Sequence, residues 1–339
     1  MRPLFRNLFL LFGVVAIFSM LYGFGIDFGD MKEHLSRAGL YLPAVVGVWV
    51  LVYAFNARAF QLIVNSLRHE KHLPFRYAYK LTVSGFAFSY TTPFGFGGAP
   101  YRVMELSNYI GTARAMSATV LYSMMHILSH FIFWTTGAAL LLAFHSDMLS
   151  PALWTMLSVY ILVFCLVLYF FWYGYKNGMI VKLYSPLLRI PLLGRLAKKI
   201  YDKHGESMAQ VDSHIAYLHS QPRAFYSSLT MEYVARLVNS LEFFFILRSL
   251  GVAVSIADSV LVLAFISLIG NMLFFFPMQL GAREGALAVI VRVLGFGTPS
   301  LGIFASFYTR VRELFWIFVG VILVKVGNKQ IMKQKNLKH

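Results

Sequence analysis

Cysteine is almost missing from this chain of 339 residues: the single Cys165 sits inside the apolar run VYILVFCLVLYFFW. One thiol excludes an intrachain disulfide and any cysteine-rich metal site. Charge is scarce too, at 13% Asp, Glu, Lys and Arg, about half of what a soluble domain carries. Acidic groups are the scarcest, 14 Asp+Glu against 30 Lys+Arg. Nucleotide signatures are lacking as well. No Gly-x4-Gly-Lys-Ser/Thr phosphate loop occurs, and Gly95, Gly97 and Gly98 lack the strand and acidic partner of a dinucleotide site. No Asp-x-Asp pair suggests metal-dependent sugar transfer, and no cofactor is expected. What fills the space is apolar: 58% hydrophobic residues, 17% aromatics, and a mean hydropathy of +0.66. Such a chain cannot hide its apolar surface in one water-soluble core. It reads as an all-α polytopic membrane protein, residues 1–339 forming a single integral domain.

A net charge of +16 in a soluble protein would point to nucleic acid. Here basic residues are expected in cytoplasmic loops facing anionic lipid instead. Six apolar windows can each cross about 30 Å of hydrocarbon: Leu8–Gly25, Leu40–Val64, Ala115–Phe144, Ala152–Tyr175, Ala224–Leu250 and Leu301–Val324. The first, behind Arg2 and Arg6, is read as a retained helix rather than a cleaved signal. Arg58, Arg68, Lys71, Arg76 and Lys80 cluster at the end of the second window and beyond it. Seven Lys and Arg residues between Lys176 and Lys203 fill the central loop, and five lysines from Lys325 to Lys338 end the chain. Placing these clusters inside puts both termini in the cytoplasm of a cell membrane, with the protein crossing it several times. The loop 176–222 is not read as a domain. It holds an amphipathic helix from Arg195 to Leu218 that suits the membrane surface.

Two further apolar regions are interrupted. Ala78–Thr92 is stopped by PFGFGGAP and resumes through Tyr101–Ile110; Ser259–Phe276 is stopped by PMQLGAR and resumes through Glu284–Leu294. About six spans plus two broken re-entrant hairpins satisfy the loop charges, with the alternative of eight full spans. Each half then reads full helix, broken hairpin, full helix, over residues 40–144 and 224–324. The halves run in opposite orientation, an inverted repeat. The breaks are marked by Pro93, Gly97 and Gly98 in the first half and Pro277 and Gly281 in the second. Interrupted helices at matching places in inverted repeats point to a transporter's substrate site. The plain alternative is that Gly and Pro only permit close helix packing.

Charges inside the apolar windows need a reason, since each costs roughly 2.5–3.5 kcal/mol near the bilayer centre. Arg236, Asn239 and Glu242 lie mid-helix, and Glu232 stands four residues before Arg236 on the same face. Arg310 and Glu313 share another face, with Arg312 beside them. Arg283 and Glu284 open the second half of one hairpin; Arg102 and Glu105 open that of the other. Either such pairs neutralise each other and pin helices, or they line a polar cavity for an anionic group. Helix N-termini and bidentate guanidinium groups both favour a lipid phosphate. Arg102, Glu105, Arg236, Arg283, Glu284, Arg310 and Glu313 are the candidate substrate-binding residues. His126 and His130 stand four apart, but no carboxylate completes a metal site in the sequence, and polar helix–helix contact is the expected role.

At the two breaks, TTPFGFGGAPYRVMELSNYIG (91–111) and FPMQLGAREGALAVIVRVLG (276–295), the sequence resembles the membrane domain of lysylphosphatidylglycerol synthases, a flippase-like family. The Gly-x-Arg-Glu of the second break is the more specific element; Tyr308, Arg310 and Gly320 also fall in family-like places. The chain departs from the pattern at Ala99, where an acidic residue usually follows the glycine pair. Full-length synthases add a soluble aminoacyl-transfer domain, which this chain lacks before His339. The resemblance therefore implies lipid translocation or an accessory role rather than enzymatic lysinylation. Three functions stay open: a translocase for a phospholipid or polyprenyl-phosphate lipid, a scaffold for a lipid-synthesising enzyme, and a lipid-phosphate transferase.

Overall fold

The structure, a computed structural model, describes residues 39–67, 72–92, 95, 97–146, 151–177, 212, 213, 217, 221–273 and 282–336. Every regular element among them is a helix: α1 Tyr41–Ser66, α2 Phe75–Thr91, α3 Gly98–Ile110, α4 Thr112–Phe144, α5 Pro151–Asn177, α6 Pro222–Ser249, α7 Ile256–Met272, α8 Ala282–Val293 and α9 Pro299–Asn336. The expected window Leu8–Gly25, nearly all of the amphipathic stretch Arg195–Leu218, and Pro93, Pro277 and Gly281 lie outside the described residues.

Local chemistry sets the helix limits. Pro222 opens α6 at a position where its missing N–H costs nothing. Ser255 and Asp258 form a reciprocal capping box at the head of α7. At the first break, Thr92 Oγ1 donates to the Phe88 carbonyl and accepts from the Gly97 N–H, both at 2.7 Å, so the turn closes on itself. Two later turns match across the halves. Gly111 (φ +84°) separates α3 from α4, and Gly295 (φ +69°) separates α8 from α9. Both need a left-handed backbone, which glycine adopts without steric penalty.

The neighbours of each helix repeat. α1 packs on α2 as α6 packs on α7; α2 on α3 as α7 on α8; α3 on α4 as α8 on α9. Across the halves, α2 lies on α9 as α7 lies on α4, while α1 and α6 lie on each other. Exchanging α1–α4 with α6–α9 leaves this pattern unchanged. The close contacts follow it. A Cβ on Gly320 of α9 would meet the Ala87 Cβ of α2 at 2.7 Å, and one on Gly137 of α4 would meet the Ala264 Cβ of α7 at 2.4 Å. Small residues let these backbones approach, as they do between membrane helices.

Two apolar cores form, one mainly of first-half residues such as Phe60, Leu81, Leu106 and Leu121 with Val324 of α9, the other mainly of second-half residues such as Val262, Leu287 and Ile290 with Phe133 of α4. Large apolar side chains also cover the outside. Leu162 and Leu166 on α5, Ile127 on α4 and Phe318 on α9 are exposed, a surface suited to hydrocarbon rather than water. Among the described residues α1 and α4 are long and apolar enough to cross a membrane. α6 and α9 are long enough too, but carry charged residues in their middles.

Candidate functional site

Those mid-helix charges meet one another. On α9, Arg310 reaches Glu313 of its own helix at 3.1 Å and Glu284 of α8 at 3.1 Å. Arg283 of α8 pairs with the other side of Glu313. Arg312 binds Glu242 of α6 through Nε at 3.0 Å and Nη2 at 2.8 Å. Neutral donors complete the carboxylates: Tyr90 of α2 to Glu313 at 2.6 Å, Trp49 of α1 to Glu242 at 2.7 Å, and Ser306 to Glu284 at 2.6 Å. Arg283, Arg310 and Arg312 thus balance Glu242, Glu284 and Glu313. Arg310, Arg312, Glu242 and Glu313 are buried. Five helices contribute, and both halves of the chain are represented.

The sequence places Arg310 and Glu313 on one helical face, and they do form an ion pair. It also brings forward Arg283 and Glu284, which join the same network rather than pairing with each other. The remaining candidates fall elsewhere. Arg102 and Glu105, expected to share a face, make no ion pair. The Arg102 guanidinium lies 4.9 Å over the Tyr122 ring, and Glu105 is buried beside Tyr77, Tyr101 and Lys80. Helical spacing fixes a shared side, not a rotamer, and Tyr122 on α4 offers the cation a π-face. Glu232 and Arg236 likewise do not pair, because better partners stand on α4. Glu232 Oε2 meets His126 Nδ1 at 2.7 Å, while Arg236 donates to Ser129 Oγ at 2.8 Å and to the His126 carbonyl at 2.9 Å. The polar helix–helix contact expected of His126 is present. No group of three metal-ligating side chains occurs among the described residues. Gly97 caps α3 and Gly98 is buried in its first turn, where a Cβ would strike the Gly85 carbonyl of α2 at 2.5 Å.

Trp49, Tyr90 and Ser306 are the participants that sequence reasoning missed. Nothing in their spacing marks them; an indole or phenol in an apolar helix looks like any interfacial aromatic. Glu242 and Arg312 were visible as intramembrane charges, but their partners were not.

A cavity of about 170 Å³ opens beside the network, lined by Trp49, Tyr90, Asn239, Glu242, Arg283 and Arg312 together with apolar groups of α7. One water needs roughly 10–15 Å³ on this measure, so there is room for a small polar group with its water. Two buried lining atoms, Arg312 Nη1 and Asn239 Oδ1, have no hydrogen-bond partner. A buried cation with an idle donor beside a polar void can accept an anion.

Neither a curated protein nor a solved structure matches the chain. A family model does, the lysylphosphatidylglycerol synthase TM region, over residues 8–320. That span includes every residue of the charge network and both helix interruptions. The chain belongs to the lysylphosphatidylglycerol synthase TM-region family, a family of membrane domains concerned with lipids.

Proposed function

We propose that this protein is a lipid translocase of the cell membrane, carrying the headgroup of a phospholipid or polyprenyl-phosphate lipid along a polar path between its two halves. In this reading α2–α3 and α7–α8 are broken hairpins entering from opposite faces, in an inverted repeat with both termini cytoplasmic. The interchangeable packing of the halves supports that arrangement, as do the basic loops.

One observation carries the function: a neutral network of Arg283, Arg310 and Arg312 with Glu242, Glu284 and Glu313, next to a cavity where Arg312 keeps an unused donor. Guanidinium groups bind carboxylate and phosphate with the same bidentate geometry. The glutamates therefore hold the arginines in place as stand-ins for the substrate. Without them, three cations in hydrocarbon would each carry a cost of kilocalories. An arriving lipid phosphate exchanges with a carboxylate, and the acyl or isoprenoid chains stay in the bilayer. Alternating access comes from one half rocking against the other.

The test is flipping of a fluorescent anionic phospholipid in proteoliposomes, read with an impermeant quencher. Wild type is expected to exceed protein-free vesicles clearly. The neutral double substitution Arg312→Gln with Glu242→Gln is expected to fall to the protein-free rate while still purifying as a folded protein. Equal rates for wild type and empty vesicles, across phospholipid and polyprenyl-phosphate probes, overturn the proposal.

A further inference from the structure

A second polar cluster lies between α4 and α6, apart from the three-arginine network. Its centre is the pair of Glu232 on α6 and His126 on α4, 2.7 Å apart. The two partners differ in access. The His126 side chain is 41% exposed, whereas that of Glu232 is 1% exposed. Glu232 Oε1 is buried with no hydrogen-bond partner. Beyond His126 stands His130, ring centroids 5.1 Å apart, whose Nδ1 is also buried and unpartnered.

Glu105 on α3 is likewise buried without an ion pair among the described residues, but the three carboxylates of the arginine network are fully engaged. Glu313 takes Arg283, Arg310 and Tyr90; Glu284 takes Arg310 and Ser306; Glu242 takes Arg312 and Trp49. A carboxylate held by guanidinium groups stays an anion and cannot cycle a proton. Glu232 has no guanidinium within ion-pair distance among the described residues, although Arg236 lies one turn along its own helix. Surrounding charges are few. α3 presents Arg102 over Tyr122, and α4 presents Tyr122 and the two histidines. On α1, Arg58 is bound to Gln61. On α7, Asp258 is held by Ser255 and His145.

We propose that Glu232, reached through His126, is a reversible proton-binding site that couples proton entry to movement of an anionic lipid. The imidazole gains a proton at Nε2 and passes the one on Nδ1 to the Glu232 carboxylate, which goes from −1 to 0. Arg236 then loses the counter-charge of Glu232 one turn away on its own helix, and an anionic headgroup restores it. Proton and anion binding strengthen each other, as linkage requires. One proton moves with one anionic charge, so the cargo is neutral and indifferent to membrane potential. The coupling rests on the translocase reading; the proton site itself does not.

Two measurements separate these. In proteoliposomes with an imposed gradient of one pH unit and no potential, wild type is expected to accumulate the anionic probe lipid in one leaflet. The limit is about tenfold for one proton per lipid. Glu232→Gln is expected to flip the probe without accumulating it. His126→Gln is expected to reach the same final ratio more slowly. Wild-type flipping that ignores the gradient overturns the coupling, as does full accumulation by Glu232→Gln. Infrared difference spectra of the purified protein across pH form the second arm and need no transport. A protonated-carboxyl band is expected in wild type and Glu313→Gln and lost in Glu232→Gln. If wild type flips no lipid, the translocase reading fails and this arm alone decides the proton site; a band that survives Glu232→Gln overturns it.

Discussion

The Arg312 guanidinium lies 3.9 Å over the Trp49 ring while both groups bind the same carboxylate, that of Glu242. Three helices far apart in the sequence, α1, α6 and α9, are tied by that one contact. Removing one member of a buried ion pair typically costs about 3–5 kcal/mol, because the other is left uncompensated, whereas removing both is often nearly neutral. Glu242→Met is therefore expected to lower the unfolding midpoint in detergent sharply, and Arg312→Met likewise. The double substitution Glu242→Met with Arg312→Met is expected to recover most of the loss. Additive losses in the double substitution would show that the pair does not act as a unit.

Within the larger network the glutamates are not equivalent. Glu313 joins Arg283 and Arg310 and accepts from Tyr90, and Arg312 Nη1 stands 3.8 Å from it. Glu284 serves Arg310 and Ser306 and is less buried. Glu313→Gln removes the one anion that lies within 4 Å of all three cations, so it is expected to destabilise more than Glu284→Gln. Thermal unfolding of the two variants side by side measures the order, and the reverse order would move the centre of the network to α8.

Much of this fold was legible because apolar run length and Gly/Pro punctuation act locally. α2 and α3 meet at the expected break, and Gly111 and Gly295 interrupt the chain at corresponding places. The site was legible only in part. Arg310–Glu313 pairs within one helix, where spacing predicts contact. Glu232–Arg236 has equally good spacing, yet His126 and Ser129 on α4 take both partners. A competing partner across a helix interface has no signature in a single sequence. The same holds for Trp49 and Tyr90, whose roles exist only once α1 and α2 lie beside α6 and α9.

The proposed opposite insertion of the two hairpins has its own consequence. Gly95 lies in the interruption between α2 and α3, and Asn271 lines the cavity at the end of α7. In a Cys165→Ser background, Gly95→Cys and Asn271→Cys are each expected to react with a small polar maleimide. Labelling of intact cells and of inverted vesicles is expected to give opposite preferences for the two sites. Reaction of both from one side only would remove the inverted arrangement and leave ordinary spans.

Close approach of the halves should be felt at single methyl groups. On Gly320 a Cβ would stand 2.8 Å from the Val83 carbonyl, a backbone atom that cannot step aside, and Ser84 Oγ donates to the Gly320 carbonyl at the same crossing. Gly320→Ala is expected to cost about 1–3 kcal/mol, the usual range for overpacking. A Cβ on Gly285 in α8 would meet nothing within 4 Å. Gly285→Ala is expected to be neutral or to stabilise by about 0.4–1 kcal/mol through the lower entropy of the unfolded chain. Because α2 on α9 corresponds to α7 on α4, Gly137→Ala should resemble Gly320→Ala in the same denaturation assay. Its clash is with the Ala264 side chain, which a second substitution, Ala264→Gly, should relieve. Failure of that rescue would mean that the α4–α7 contact is not the counterpart of α2–α9 that the packing pattern makes it.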